Sequence, residues 1–305
     1  MTLAEDTVLL GDSLELLPSL PDSSVHLIAS DVPYGIGFDD WDVLHENTNS
    51  ALLGASPAQR KAGPVFSRRG KPINGWSDAD GNIPKEYYEW CSRWAADWLR
   101  VLKPGASAFV FAGRRFASRC VVALEDAGFN FRDMLGWTRP QAVHRAQRLS
   151  VVFDRRGDAT SSMRWDGWRV GNLRPTFEPI LWFFKPYRVT IADNVLEHRV
   201  GAYNQEALLQ HFGSVDNIIQ CGFAPNESGL HAAQKPLRLM QGLIELSTLP
   251  GQVVLDPFAG SGTTAVAAKA ADRRYIAIER DKEAYAVMRK RLGQPLRAPA
   301  RASFS

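Results

Sequence analysis

The 305-residue chain has only three cysteines, Cys91, Cys120 and Cys221, far apart and odd in number. That is too few for a disulfide framework and predicts a reducing compartment, the cytoplasm. No apolar run approaches the ~20 residues a membrane span needs, so no membrane partner is expected. The amino end, MTLAEDTVLLGDS, sets no basic stretch before an apolar core and does not read as a secretion signal. None of the six histidines stands at metal-ligand spacing beside a cysteine or carboxylate, so no metal site is expected. Excess charge of one sign is lacking too: 36 Lys and Arg face 33 Asp and Glu, a net +3 that permits a polyanion partner without demanding one. With 45% hydrophobic and 23% charged residues, the composition excludes collagen-like, coiled-coil and wholly disordered chains. No internal repeat is visible. The length admits two domains of ~150 residues or one α/β domain with insertions.

What is there is an alternation of short apolar strands and helices. Strands are predicted at 8–10, 25–30, 106–111, 129–137, 177–184, 252–256 and 275–278, and helices at 14–17, 84–102, 114–127, 234–248, 262–271 and 281–292. Pro84 suits a helix start, and Lys103-Pro104-Gly105 a helix stop. Trp90, Trp94 and Trp98 recur every fourth residue, a spacing that belongs to a core-facing stripe more often than to base-stacking platforms. Residues 42–84 show no sustained period, 138–175 are basic and irregular, and 185–230 are polar and mixed. The fold class expected is α/β, a mostly parallel, doubly wound sheet, in which ligands bind outside the carboxyl ends of the strands.

Two strand ends carry residues suited to chemistry. The first is Asp256-Pro257-Phe258-Ala259-Gly260-Ser261-Gly262-Thr263-Thr264, between a strand and a helix. Its glycines let backbone approach a ligand, and the helix start offers unpaired N–H groups. The next strand ends at Glu279, an acid placed to take ribose hydroxyls. Three readings stay open: a tight turn, a dinucleotide site with Ala265 at the third glycine position, or a site for S-adenosylmethionine. Asp256 favours the last, because a carboxylate suits that donor's amino group and repels a pyrophosphate.

The second strand end is Asp31-Val32-Pro33-Tyr34. Alone it is equally an Asx-Pro turn. Chemically it suits methylation of an amino group conjugated to an aromatic ring. Such a nitrogen is a poor nucleophile. Two acceptors drawing on its hydrogens, the Asp31 carboxylate and the residue 32 carbonyl, push it toward tetrahedral geometry and free its lone pair. Tyr34 can stack on the ring, an interaction worth roughly 1–3 kcal/mol per base.

With both motifs in one chain, the sequence resembles the N6-adenine/N4-cytosine amino-methylating DNA methyltransferases. The order, tetrad first and donor motif last, resembles their permuted beta class. GDSLELLPSLPDSSVHLIASDVPYGIGFDDWD is similar to the family's amino end, and HAAQKPLRLMQGLIELSTLPGQVVLDPFAGSGTTAVAA to its carboxyl half. The resemblance implies an S-adenosylmethionine-dependent methyltransferase fold in circularly permuted order, with an inserted target-recognition region. Residues 1–42 and 84–187 would form the catalytic half, 43–83 a DNA-contacting loop, 188–230 the target-recognition region, 231–293 the donor-binding half and 294–305 a disordered tail. Catalysis would fall to Asp31, Val32 through its carbonyl, Pro33 and Tyr34. The donor would be held by Asp256, Phe258, Gly260, Gly262, Thr263, Thr264 and Glu279, and enclosed by His231, Gln234, Lys235 and Pro236. Asp12 would lie near the donor or simply cap a helix. The family usually has proline where this chain has Val32; the carbonyl survives and activity is expected to survive with it.

The implied activity is site-specific DNA methylation by base flipping and in-line transfer. Adenine N6 is favoured because cytosine N4 enzymes of the family more often begin the tetrad with serine. Weaker alternatives are a catalytically weak DNA-binding pseudo-enzyme, an RNA or protein-glutamine methyltransferase, and a nicotinamide oxidoreductase. Double-stranded DNA is the expected partner, and the family also allows a cognate restriction enzyme and a homodimer. DNA contacts are expected from Arg68, Arg69, Lys71, Arg139, Arg145 and Arg148; each basic cluster could equally be a solvated face.

Overall fold

The computed structural model describes residues 6–34, 78–139, 146–225, 227 and 234–293. The long segment ahead of residue 78, the tail, and with them Arg68, Arg69, Lys71, Arg145 and His231, lie outside the described residues.

The chain runs β1 (Thr7–Leu10), α1 (Ser13–Leu16), a 3-10 turn (Leu17–Ser19), β2 (Val25–Asp31), α2 (Asp78–Val101), β3 (Leu102–Phe111), α3 (Ala117–Asp126) and β4 (Asn130–Thr138). A small excursion follows: β5 (Gln147–Arg148), α4 (Leu149–Asp154), α5 (Ala159–Arg164) and β6 (Arg169–Val170). It returns through β7 (Phe177–Phe184), α6 (Ile191–His198), α7 (Gln205–Phe212) and β8 (Ile218–Gln220). The last elements are α8 (Leu237–Ser247), β9 (Val253–Asp256), α9 (Thr263–Ala270), β10 (Arg274–Glu279) and α10 (Lys282–Gly293).

Eight strands form one sheet in the order β1-β10-β9-β2-β3-β7-β4-β8. All its pairings are parallel except those of β7, which runs against β3 and β4. The inner strands are apolar on both faces because helices cover both. Ile28, Leu255 and Ile278 face the layer built from α2 and α3, with Trp94, Trp98 and Cys120. Leu27, Val254 and Ala277 face the other, with Leu239 and Leu243 of α8, Ala267 of α9 and Met288 of α10. All three cysteines are buried and unpaired. Among the described residues, no helix is long and apolar enough to cross a membrane.

Three local expectations are corrected. Helix α2 begins at Asp78, so Pro84 sits inside it. Near the amino end a proline removes one intrahelical bond, and the apolar stripe carrying Trp94 and Trp98 holds the helix down regardless. The 138–175 segment is not irregular throughout, since four short elements occupy it. The polar 185–230 stretch carries α6 and α7, and its β8 pairs with β4 in the main sheet. Short elements separated by turns show no period long enough to read from sequence.

The sheet order matters most for the site. Strands β2 and β9 are neighbours, with Leu27 opposite Val254 and Ile28 opposite Leu255. Their carboxyl tips are joined by a 2.7 Å bond from the Ser30 hydroxyl to Asp256 Oδ1, across 226 residues of sequence.

Candidate active site

At these tips lies a crevice lined from six places. Asp31 ends β2 and Pro33 follows it, Asp12 precedes α1, and Trp90 projects from α2. Residues from Asp256 to Ser261, with Thr263 and Thr264, form the floor, while Gly262 is not in the lining; Glu279 ends β10. Gln234 and Lys235, ahead of α8, close the side.

The glycine-rich turn is shaped from within. Asp256 Oδ1 also accepts from the Phe258 amide at 3.1 Å. Gly260 donates to Glu279 Oε2 at 2.7 Å, and Asp281 donates to Glu279 Oε1 at 2.7 Å. Each Glu279 oxygen keeps a second lone pair for a hydroxyl. Gly260 and Gly262 take positive φ, +51° and +79°. Arg291 of α10 braces the turn from behind, donating to the Ser261 carbonyl at 2.7 Å and to Thr263 Oγ1 at 3.1 Å. Burial pushes the Asp256 carboxyl up to about 6, against its bonds from Ser30, Thr264 and Phe258. Asp12 caps α1, accepting from Leu14 at 2.8 Å, and it also lines the crevice.

The Asp31-Val32-Pro33-Tyr34 turn is held by its surroundings. Val32 is buried in the α2-side core, and the Tyr87 hydroxyl donates to the Pro33 carbonyl at 3.1 Å. Both contacts restrain the turn at the position where Val32 stands in place of a second proline. The Tyr34 ring lies on Gly113, where an added Cβ would come within 2.9 Å of Tyr34 Cβ.

Behind the turn sits a buried ion cluster. Lys235 Nζ donates to Asp31 Oδ2 at 2.5 Å, reaches Glu178 Oε1 at 3.1 Å, and donates to the Tyr34 hydroxyl at 3.2 Å. Tyr34 in turn donates to Glu178 Oε1 at 2.5 Å, and Arg139 holds Glu178 Oε2 at 3.1 Å. Rings of Phe111, Tyr34 and Trp137 enclose the ammonium, with centroids 5.1, 5.5 and 5.9 Å away. Burial opposes ionisation of Glu178, but Lys235, the Tyr34 bond and Arg139 outweigh it and hold its carboxyl below the usual range. Burial likewise opposes the charge on Lys235, yet Asp31 and Glu178 together raise it. For Asp31 burial wins, and with the Glu178 charge it raises the carboxyl despite Lys235. Among the described residues two buried atoms of this cluster have no hydrogen-bond partner: Arg139 Nε, a donor, and Asp31 Oδ1, the one acceptor.

Sequence reasoning places Lys235 beside the donor. It does line the crevice, but its ammonium is spent on Asp31, Glu178 and Tyr34. Glu178 escapes that reasoning, although a lone carboxylate in the apolar run FEPILWFF is a legible signal. By spacing Trp90 belongs with Trp94 and Trp98 in the core; those two are fully buried, whereas Trp90 reaches the crevice with its ring 5.6 Å from Phe258. Of the expected DNA contacts, Arg139 is bonded to Glu178 while Arg148 is exposed.

The profile of the DNA methylase family, that of N6 and N4 enzymes, matches residues 25–290. The Type II methyltransferase M.HindIII of Haemophilus influenzae is 52% identical over 295 residues, spanning 94% of this chain and 95% of its own. The chain belongs to the N6/N4 DNA methylase family. Solved structures agree on the fold. The PvuII DNA methyltransferase (cytosine-N4-specific) superposes with a TM-score of 0.63 at 18% identity, over 97% of this chain and 89% of that one. M1.HpyAVI in its S-adenosylmethionine complex gives 0.53 at 20% identity, over 94% and 99%.

S-adenosylmethionine is the cofactor of this family, and the crevice fits it. The acids Asp12, Asp256, Glu279 and Asp281 dominate the donor end of the lining, which suits an ammonium, a sulfonium and ribose hydroxyls and disfavours a pyrophosphate. Phe258 and Trp90 supply an apolar wall.

Proposed function

We propose that this Type II DNA methyltransferase transfers methyl to the N6 amine of adenine in a specific sequence, on a base flipped out of the duplex. The observation that carries this reading is the unpartnered Asp31 Oδ1 at the wall of the donor crevice, the one buried acceptor atom of the ion cluster left without a partner. S-adenosylmethionine, when bound, supplies a methyl on a sulfonium. Glu279 would hold the ribose, and Asp256 with the start of α9, Gly260 to Thr264, the methionine end. Phe258, Trp90 and Gln234 would exclude water around it. Asp31 Oδ1 and the Val32 carbonyl would accept from the target amine, orienting its lone pair at the methyl, while Tyr34 stacks on the base. The Asp at the head of the tetrad is what favours adenine.

Contacts to the duplex we assign chiefly to residues 146–176, which leave the sheet between the end of β4 and the start of β7, at the same edge as Asp31. This stretch has six arginines against three aspartates, and all six arginines are exposed. Trp168, Met163 and Leu173 are exposed beside them, at 61, 75 and 88%. Such a surface combines phosphate neutralisation with apolar groups for a groove. A cognate restriction endonuclease would be the functional partner.

Nucleoside mass spectrometry of DNA from cells expressing the chain tests the reading. N6-methyladenine should appear with the native chain and be absent with Asp31→Ala. N4-methylcytosine in its place would overturn the choice of base. Undiminished methylation by Asp31→Ala would overturn the site.

A further inference from the structure

We infer that Glu178 is a positioning residue for methyl transfer, holding the Lys235 ammonium and the Tyr34 ring so that Asp31 meets the target amine as a fixed acceptor. This rests on the reading that Asp31 Oδ1 takes the amine's hydrogen. The support is stoichiometric. An ammonium has three donors, and Lys235 directs them at Asp31 Oδ2, Glu178 Oε1 and the Tyr34 hydroxyl. The Tyr34 hydroxyl has one donor, and it goes to Glu178. Glu178 Oε2 is taken by Arg139. The three contacts of Lys235 occupy the ammonium's donors, so it has none left for a base and acts through Asp31, whose Oδ1 is the cluster's one buried acceptor atom without a partner.

The cluster is also costly as mere packing. Glu178 and Lys235 are each 6% exposed. Burying such ions costs several kcal/mol apiece, and an apolar pair of similar volume is often as stable. The charges do balance, with Asp31 and Glu178 against Lys235 and Arg139. Glu178 lets the ammonium stay charged in an apolar pocket, and the ammonium fixes one Asp31 oxygen and leaves the other facing the crevice. The charged and titratable groups facing Lys235 are Asp31 from β2, Glu178 from β7, and Tyr34; Arg139 after β4 and Asp256 on β9 form the next layer.

The test compares the full-length chain with Glu178→Gln, Tyr34→Phe and Asp31→Ala. Donor affinity is read by calorimetry with S-adenosylmethionine. Single-turnover methyl transfer to unmethylated, mixed-sequence duplex DNA of several kilobases is read from acid to alkaline pH. Glu178→Gln should bind donor like the native chain yet transfer at least about tenfold more slowly near neutrality, ~1.4 kcal/mol of barrier. Its pH–rate profile should also move to lower pH on both limbs. Lys235 loses one of two anions and gives up its proton earlier, while Asp31 loses a like charge and ionises earlier. A native rate, or a slower rate with unmoved limbs, overturns the inference while Asp31→Ala remains inactive. Activity of Asp31→Ala instead removes the reading on which it rests. Should Glu178→Gln fail to bind donor, Tyr34→Phe carries the test: it keeps the ring and removes the hydroxyl that bonds both Glu178 and Lys235, so it should slow transfer and move the acid limb, and native behaviour overturns the inference.

Discussion

Gly262 shows how little room the donor turn leaves. Its φ is +79°, and a Cβ there would come within 2.9 Å of Met288 Cβ and Sδ on α10. A side chain in the left-handed region costs roughly 1–2 kcal/mol, and overpacking a filled core adds about 1–3. Gly262→Ala should therefore lower the unfolding free energy by about 2–5 kcal/mol and weaken donor binding with it. Denaturant melts together with calorimetry check this; native-like stability would mean that α10 yields at Met288 without cost. Glu178 belongs to the same scale. Its identity is plain in the sequence, but its partners, Tyr34, Arg139 and Lys235, come from three other segments, and no local pattern announces their meeting.

Single elements carry a second kind of constraint. His26 on β2 accepts the Val253 amide at Nδ1, 3.2 Å away, and so ties the start of β9 to β2. Burial, with the positive charges of Lys103 and Arg199, lowers its pKa from 6.5 to about 4. The imidazole is thus neutral in the fold, while the unfolded chain binds a proton below 6.5. Between about 6.5 and about 4 the unfolded state holds more protons, so this contribution to stability is full above the window and is lost as pH falls through it. Urea melts at pH 7 and pH 5 should show a loss that His26→Gln makes smaller; equal slopes for the two chains would show that His26 is not its source. Helix α2 teaches the complementary point. Its tryptophan spacing is enough to predict a helix, while its start at Asp78 is hidden by Pro84, because local propensity marks a boundary that burial of the apolar face can override.

At the scale of the whole molecule, charge is distributed unevenly. The net +3 of the chain equals the excess of residues 146–176 alone, six arginines over three aspartates. If this stretch meets the duplex, Arg155→Ala with Arg156→Ala should weaken DNA binding and reduce the slope of log K against log salt by about 0.9 for each phosphate no longer neutralised. Binding measured from low to high salt decides it, and an unchanged slope would move the interface elsewhere.

Two motifs, their order and the strand–helix alternation were enough, from sequence, to predict a mostly parallel α/β sheet and the resemblance to the family, because periodicity, glycine-rich turns and residues at strand ends are local properties. The pairing of β2 with β9, the ion cluster that leaves Asp31 Oδ1 as its unpartnered acceptor, and the turn of Trp90 toward the crevice were decided by tertiary structure alone. Each depends on which segments distant in sequence come within hydrogen-bond or van der Waals reach, and that is set by packing the sheet between its two helical layers.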